Sequence, residues 1–208
     1  MSEQNRKDRV AHTPPPIIPA LDFLAGPIPE PPQVVCGAIR AGQVNMLAAS
    51  SKAGKSWALL SLAYAVANGA EWLDWQTTKG RVLYINAELQ AYDLQRRLIV
   101  LTEATGRKPE LIDLWHLRGQ DRTIRALIPH VMAAQERNGC PYSLIIPDPL
   151  YCFGGGRDEN DNSEQAKTMG ELSEMAERTT AAVIAAHHFS KGNKSNVDHL
   201  DRASGAGM

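Results

Sequence analysis

The chain has 208 residues, 43% of them hydrophobic and 22% charged, which is enough for one α/β domain with a sizeable core. Its 22 basic and 23 acidic residues leave a formal net charge of -1, which excludes a global positive field driving nonspecific nucleic-acid binding. The three cysteines, Cys36, Cys140 and Cys152, form no C-x-x-C pair, so neither a disulfide framework nor a zinc site is indicated, and buried reduced thiols are expected.

The N-terminus, MSEQNRKDRVAHTPPPIIP, is polar and then proline-rich, with no apolar run of the kind a signal peptide carries. Residues 1 to about 19 read as a disordered tail, and Pro27, Pro29, Pro31 and Pro32 as an extended approach. Residues 1–30 are therefore expected to be a flexible segment and 31–208 the domain. Strand and helix patterns then alternate. Gln43 to Ala48 reads as a buried strand and Lys55 to Asn68 as a helix stopped by Gly69. RVLYIN at 81–86 reads as a strand, 91–104 as a helix, and Leu111 to Leu117 as a short strand. Residues 121–138 fit a helix that Pro129 would kink or break. Ser143 to Ile146 is a short strand, Ser163 to Arg178 a helix, and Ala181 to Ala186 the last strand. Such alternation predicts an α/β fold, a mostly parallel sheet flanked by helices on both faces, with ligands at the carboxyl edge of the strands. The apolar stretch 57–70 is too short to span a bilayer and holds Ser61 and Asn68, so a cytoplasmic protein without a membrane partner is expected.

The segment AASSKAGKSW, 48–57, lies between a strand and a helix. It matches G-x-x-x-x-G-K-[ST] at Gly54, Lys55 and Ser56, with Ala49 where the first glycine belongs. Loop N–H groups and the helix dipole cradle phosphates, the lysine reaches the β and γ phosphates, and the hydroxyl ligates Mg²⁺. A chance triplet would lack the flanking strand and helix. ATP and Mg²⁺ are the expected cofactors, and the candidate nucleotide contacts are Ser50, Ser51, Lys52, Ala53, Gly54, Lys55, Ser56 and Trp57.

Two acids follow strands. Glu88 ends RVLYINAE, where a carboxylate can orient or deprotonate an attacking water; it is equally placed as an ordinary helix-start acid. Asp148 ends YSLIIPDPL, at the position of a Mg²⁺-binding aspartate, with turn initiation before Pro149 as the plainer reading. Pro147 is unusual in a central strand, so either the strand ends at Ile146 or its geometry is distorted. His187 and His188 end AAVIAAHH, where a polar side chain can sense the γ-phosphate. Polar, glycine-containing loops at 153–164 and 190–207 follow strands on the same edge. The second carries Lys191, Lys194 and Arg202, which suit a phosphate backbone or merely a solvated loop.

Taken together, SSKAGKSWALLSLAYAVANG, VLYINAELQAYDLQRRL, LIIPDPLYCFGGGRDENDNSE and VIAAHHFSKGN resemble the RecA-like P-loop ATPases over about residues 30–205. Within them the chain looks nearest to the RepA-type hexameric replicative helicase branch. The resemblance implies a hexameric ring with ATP between subunits, Glu88 and Lys55 as catalytic groups, and His187 or His188 as γ-phosphate sensor. It also implies that the two loops face single-stranded DNA. A neighbouring subunit would supply an arginine finger; Arg202 is the nearby candidate. The ending SGAGM gives the expectation of a domain missing its final strands. Three functions are thus in view: an ATP-driven motor on single-stranded DNA, a nucleotide-dependent switch with no nucleic-acid role, and, last, a P-loop transferase.

Overall fold

The computed structural model describes residues 16–154 and 162–188. They belong to two compact units, residues 1–30 and 31–208. Where a flexible segment is expected, the first unit holds a five-residue helix, α1 (Ala20–Leu24), which follows Pro19 and buries none of its residues.

The second unit opens with a small antiparallel hairpin, β1 (Gln33–Val35) and β2 (Ile39–Arg40), in a stretch where no strand is expected. Val34, Val35 and Ile39 bury there, and Cys36 in the turn is exposed. Cys140 and Cys152 are half-buried, so the expectation of buried thiols fails, although none of the three is in a disulfide.

The main sheet has five parallel strands: β3 (Val44–Ala49), β4 (Val82–Asn86), β5 (Ile112–His116), β6 (Leu144–Asp148) and β7 (Ala182–His188). Their spatial order is β3-β7-β6-β4-β5. The helices are α2 (Lys55–Asn68), α3 (Ala91–Thr105), α4 (Ile124–Asn138) and α5 (Asn162–Thr179). Strand residues alternate between two cores. Val82, Tyr84, Leu144, Ile146, Ala182 and Ile184 join α2 and Leu94 of α3. Leu83, Ile85, Ile145, Val183 and Ala185 join α4 and α5. This period of two with both faces apolar is what a doubly covered parallel sheet requires.

The crossovers explain the division. From β3 to β4 and from β4 to β5 the chain moves one way along the sheet, and α2 and α3 lie on one face. From β5 to β6 and β6 to β7 it moves back, and α4 and α5 lie on the other. Right-handed crossovers demand this change of face. The reversal falls between β4 and β6, the strands carrying Glu88 and Asp148, so those residues meet at the crevice where such sheets bind ligands.

Three helices end on glycines in the left-handed region, Gly69, Gly106 and Gly139. Helix α4 starts at Ile124 rather than 121, because the Thr123 side chain accepts from the Ala126 N–H and caps it. It continues past Pro129, so the proline does not break it. The buried Glu171 of α5 also accepts from the Arg125 N–H, placing a carboxylate at the helix's positive end.

Strand β6 runs through Pro147 to Asp148, beyond the expected end at Ile146. The Asp148 carbonyl accepts from the Ala87 N–H beyond β4. In a parallel strand neighbouring residues bond to opposite sides, so Pro147 faces β7. There the ladder stops at Ile145 paired with Val183, whereas pairing with β4 continues to Asp148. The missing donor costs no ladder bond on the β4 side. Among the described residues no helix is long and apolar enough to cross a membrane.

Candidate functional site

The loop between β3 and α2 turns through two left-handed residues, Lys52 (φ 63°) and Gly54 (φ 88°). Glycine adopts that conformation without strain, so the motif's glycine is needed here. Ala49 is different: it ends β3 and is not among the residues with positive φ, so an alanine fits in place of the first glycine. No side chain caps α2, whose positive dipole end opens onto the loop.

Lys55 is the first residue of α2 and only 7% exposed. Its Nζ donates to the carbonyl oxygens of Ala49 (2.9 Å) and Ser50 (2.8 Å), bracing the loop from inside. Burial pulls its ammonium below the usual lysine value, while the Asp148 and Glu88 carboxylates pull it up. Lys55 thus stands beside both acids.

Asp148, at the end of β6, is 3% exposed. The Tyr84 hydroxyl of β4 donates to its Oδ2. Its Oδ1 is buried and accepts no hydrogen bond. Burial raises this carboxyl's pKa; the Tyr84 and Ser56 hydroxyls favour the charged form, Glu88 opposes it and Arg97 supports it. The buried Oδ1 without a donor, on a carboxyl that the Ser56 hydroxyl also influences, is a fitting ligand for a hard cation. Among the described residues no group of three or more His, Cys, Asp or Glu side chains could hold a metal. Mg²⁺ is commonly held by one or two side-chain oxygens together with water and phosphate oxygens, and Asp148 and Ser56 are residues that could supply them.

Glu88 lies in the exposed bend after β4. The bend is fixed by the buried Asn86, whose Oδ1 accepts from the Leu89 N–H (2.9 Å) and whose Nδ2 donates to the Leu89 carbonyl (2.8 Å). The second Nδ2 hydrogen meets His116 Nδ1 at 2.8 Å, which makes that ring nitrogen the acceptor. Arg118 Nε donates to the Glu88 carbonyl at 2.8 Å. Tyr151, in the 3-10 turn Leu150–Phe153 after β6, lies within electrostatic reach of Glu88. Burial, then Cys152 and Glu88, raise its hydroxyl pKa.

In the paired strands β3 and β7, Ala48 is in register with His187 and Ala49 with His188. The two histidines therefore end the strand beside the one that delivers the phosphate loop. The backbone of His188 is described but not its side chain, while Lys191, Lys194 and Arg202 lie outside the described residues, as does most of the 153–164 loop. Ser50, Ser51, Lys52 and Ala53 are exposed along the loop, and Ser56 is half-buried. Trp57 is 39% exposed and carries the Arg97 guanidinium over its ring, 5.2 Å from the centroid. Sequence reasoning missed Tyr84, Asn86, Arg97 and Tyr151. Asn86, a polar residue ending an apolar strand just before Glu88, carried a signal; Tyr84 reads as ordinary core.

A family model described as AAA domain matches residues 11–194. Such domains bind ATP, generally with Mg²⁺, and use it in nucleotide-dependent ATPase activity. The sheet order, the phosphate loop and the acids at the strand ends agree with that match as an α/β, RecA-like P-loop fold. The chain belongs to the AAA-domain family of P-loop ATPases.

Proposed function

We propose that this chain is a ring-forming motor ATPase of the RepA-type helicase branch, acting on single-stranded DNA. The observation that carries the ATPase part is the placement of Lys55, Ser56, Asp148 and Glu88 at the carboxyl edge of one sheet: Lys55 and Ser56 open the helix after β3, and Asp148 ends the strand paired with the one that Glu88 follows. Lys55, released from its own loop carbonyls, binds the β and γ phosphates. Ser56 and Asp148 hold the Mg²⁺, directly or through its water. The bound ion supplies positive charge to the phosphate oxygens. Glu88, set by the Asn86 clamp, orients the attacking water and takes its proton. His187 or His188, at the end of β7, senses the γ-phosphate. Ser50, Ser51, Lys52, Ala53, Gly54 and Trp57 complete the nucleotide contacts.

The motor part rests on the resemblance of the ordered motifs and on Lys191, Lys194 and Arg202 in the segment after β7. A hexameric ring would gather six copies of that segment around one strand, a local positive charge that a chain of net charge -1 does not supply globally. That charge equally favours a second reading, a nucleotide-dependent switch with no nucleic-acid role. ATPase assays with added single-stranded DNA at rising salt separate the two. Stimulation that falls with salt and is lost in Lys191→Ala with Lys194→Ala supports the motor. Unchanged ATPase rates with and without DNA support the switch.

A further inference from the structure

Tyr84 belongs to no nucleotide-binding motif in the sequence. Its position is nevertheless fixed by strand register. Asn86 pairs with Asp148 and Tyr84 with Ile146, so Tyr84 is the diagonal neighbour of Asp148, two residues earlier on β4. A diagonal separation is within reach of an aromatic side chain. The Tyr84 ring sits in the core cluster with α2, fully buried, and its hydroxyl reaches Asp148 Oδ2. The other oxygen, Oδ1, is buried with no hydrogen-bond donor. One oxygen of the carboxylate therefore has a protein donor and the other has none.

We propose that Tyr84 is a positioning residue that pins Asp148 so that only Oδ1 is offered to the cation, and thereby makes the site prefer Mg²⁺ to Ca²⁺. The inference rests on the nucleotide-site reading above. Ca²⁺ accepts six to eight oxygens and readily takes both oxygens of one carboxylate, whereas Mg²⁺ demands near-octahedral single contacts and keeps its waters. With Oδ2 already accepting from a phenol, chelation through both oxygens is disfavoured and Oδ1 is the oxygen better placed to meet a cation. The carboxylate can serve Mg²⁺ through Oδ1, directly or by way of a bound water. The phenol is suited to this because its ring is locked in the core, so the hydroxyl does not follow the carboxylate if it turns. Partners that orient a metal-binding carboxylate typically change metal affinity about 10- to 100-fold when removed.

The test is titration of a fluorescent ATP analogue onto the full chain and onto Tyr84→Phe, in EDTA, in Mg²⁺ and in Ca²⁺, with thermal unfolding as the fold check. In EDTA the two proteins should bind alike. The Mg²⁺ concentration at half-saturation should rise about tenfold in Tyr84→Phe. The Ca²⁺ requirement should move much less, so that the preference between the ions collapses. Equal shifts for both ions, or no shift for either, would overturn the proposal. The unaltered chain is a second measurement that does not depend on the variant folding: it should need about ten times more Ca²⁺ than Mg²⁺, and equal requirements would overturn the proposal. Failure of the unaltered chain to bind the analogue with any ion would instead bring down the nucleotide-site reading, and this inference with it.

Discussion

Lys55 Nζ donates to the carbonyl oxygens of two residues of its own loop, Ala49 at 2.9 Å and Ser50 at 2.8 Å. The side chain that reads as the phosphate ligand is thus also the brace of the loop that would receive the phosphate. Lys55→Ala removes both the charge and the brace. It should weaken ATP binding by about 100-fold, a loss of the size expected for a buried charge-assisted contact of about 3 kcal/mol. The free protein should lose little stability, because burial already disfavours the lysine's charged form. Thermal unfolding with and without Mg·ATP separates these effects: the variant should lose the ATP-induced rise in Tm. A rise equal to that of the unaltered chain would contradict the role of Lys55.

Asn86 holds the bend that carries Glu88 with one donor and its carbonyl oxygen, both on Leu89, and is itself anchored to β5 by its other donor on His116. Asn86→Ala should lower kcat by about tenfold or more, since misplacing a reacting group by about 1 Å can lower the rate 100-fold. KM for ATP should change little, because Asn86 touches none of the phosphate loop. A large rise in KM with kcat unchanged would mean that the bend serves binding rather than hydrolysis.

Just before β4, at half-buried Gly80, geometry makes a purely structural prediction. A Cβ added to Gly80 would lie 2.0 Å from Ser143 Oγ and 2.5 Å from Ser143 Cβ. Gly80→Ala should therefore destabilise the fold by about 1–3 kcal/mol, the usual cost of overpacking. Ser143→Gly in the same chain should restore much of that loss, whereas Ser143→Ala, which keeps the Cβ, should not. Urea unfolding of the three variants checks the pair; additive losses would show that the clash is relieved elsewhere.

The phosphate loop was legible because its residues are contiguous, and α2 has the predicted bounds because Gly54 and Gly69 punctuate it in the left-handed region. The alternation of strands and helices also sufficed for a parallel sheet with two covered faces. What linear reading lacked was strand order. Only the adjacency of β4 and β6 brings Tyr84 and Glu88 to Asp148. A tyrosine in an apolar strand carries no mark that its hydroxyl will meet an acid 64 residues later. Likewise Pro147 suggested a strand ending at Ile146, because the side to which its missing N–H falls depends on register. The hairpin at 33–40 was hidden by its shortness and by the prolines before it.

Asp113 of β5 accepts both arms of the Arg81 guanidinium at 2.8 Å, together with Tyr142 and Asn138. Burial raises its pKa, but these donors outweigh burial and hold it below the usual 3.8. Burial and the Asp113 contact push Tyr142 up to about 12. Because the folded pKa of Asp113 lies below its unfolded value, the stabilisation is complete above 3.8 and is lost as pH falls through the folded value. Asp113→Asn should cost about 1–2 kcal/mol at neutral pH, a charge-assisted network discounted for partial exposure. Denaturant unfolding at pH 7 and below 3.8 should show that gap closing in acid. A gap independent of pH would assign the loss to packing instead.

In the proposed reading, Lys55, Ser56, Asp148 and Glu88 form one ATP-hydrolysing site. The most direct test is single-turnover hydrolysis of Mg·ATP by the unaltered chain and by Glu88→Gln, with ATP binding measured in parallel. Removing a general base typically slows the chemical step by about 100- to 10,000-fold. A loss of that order is expected in Glu88→Gln, with ATP affinity retained. Hydrolysis by Glu88→Gln at the unaltered rate would contradict it.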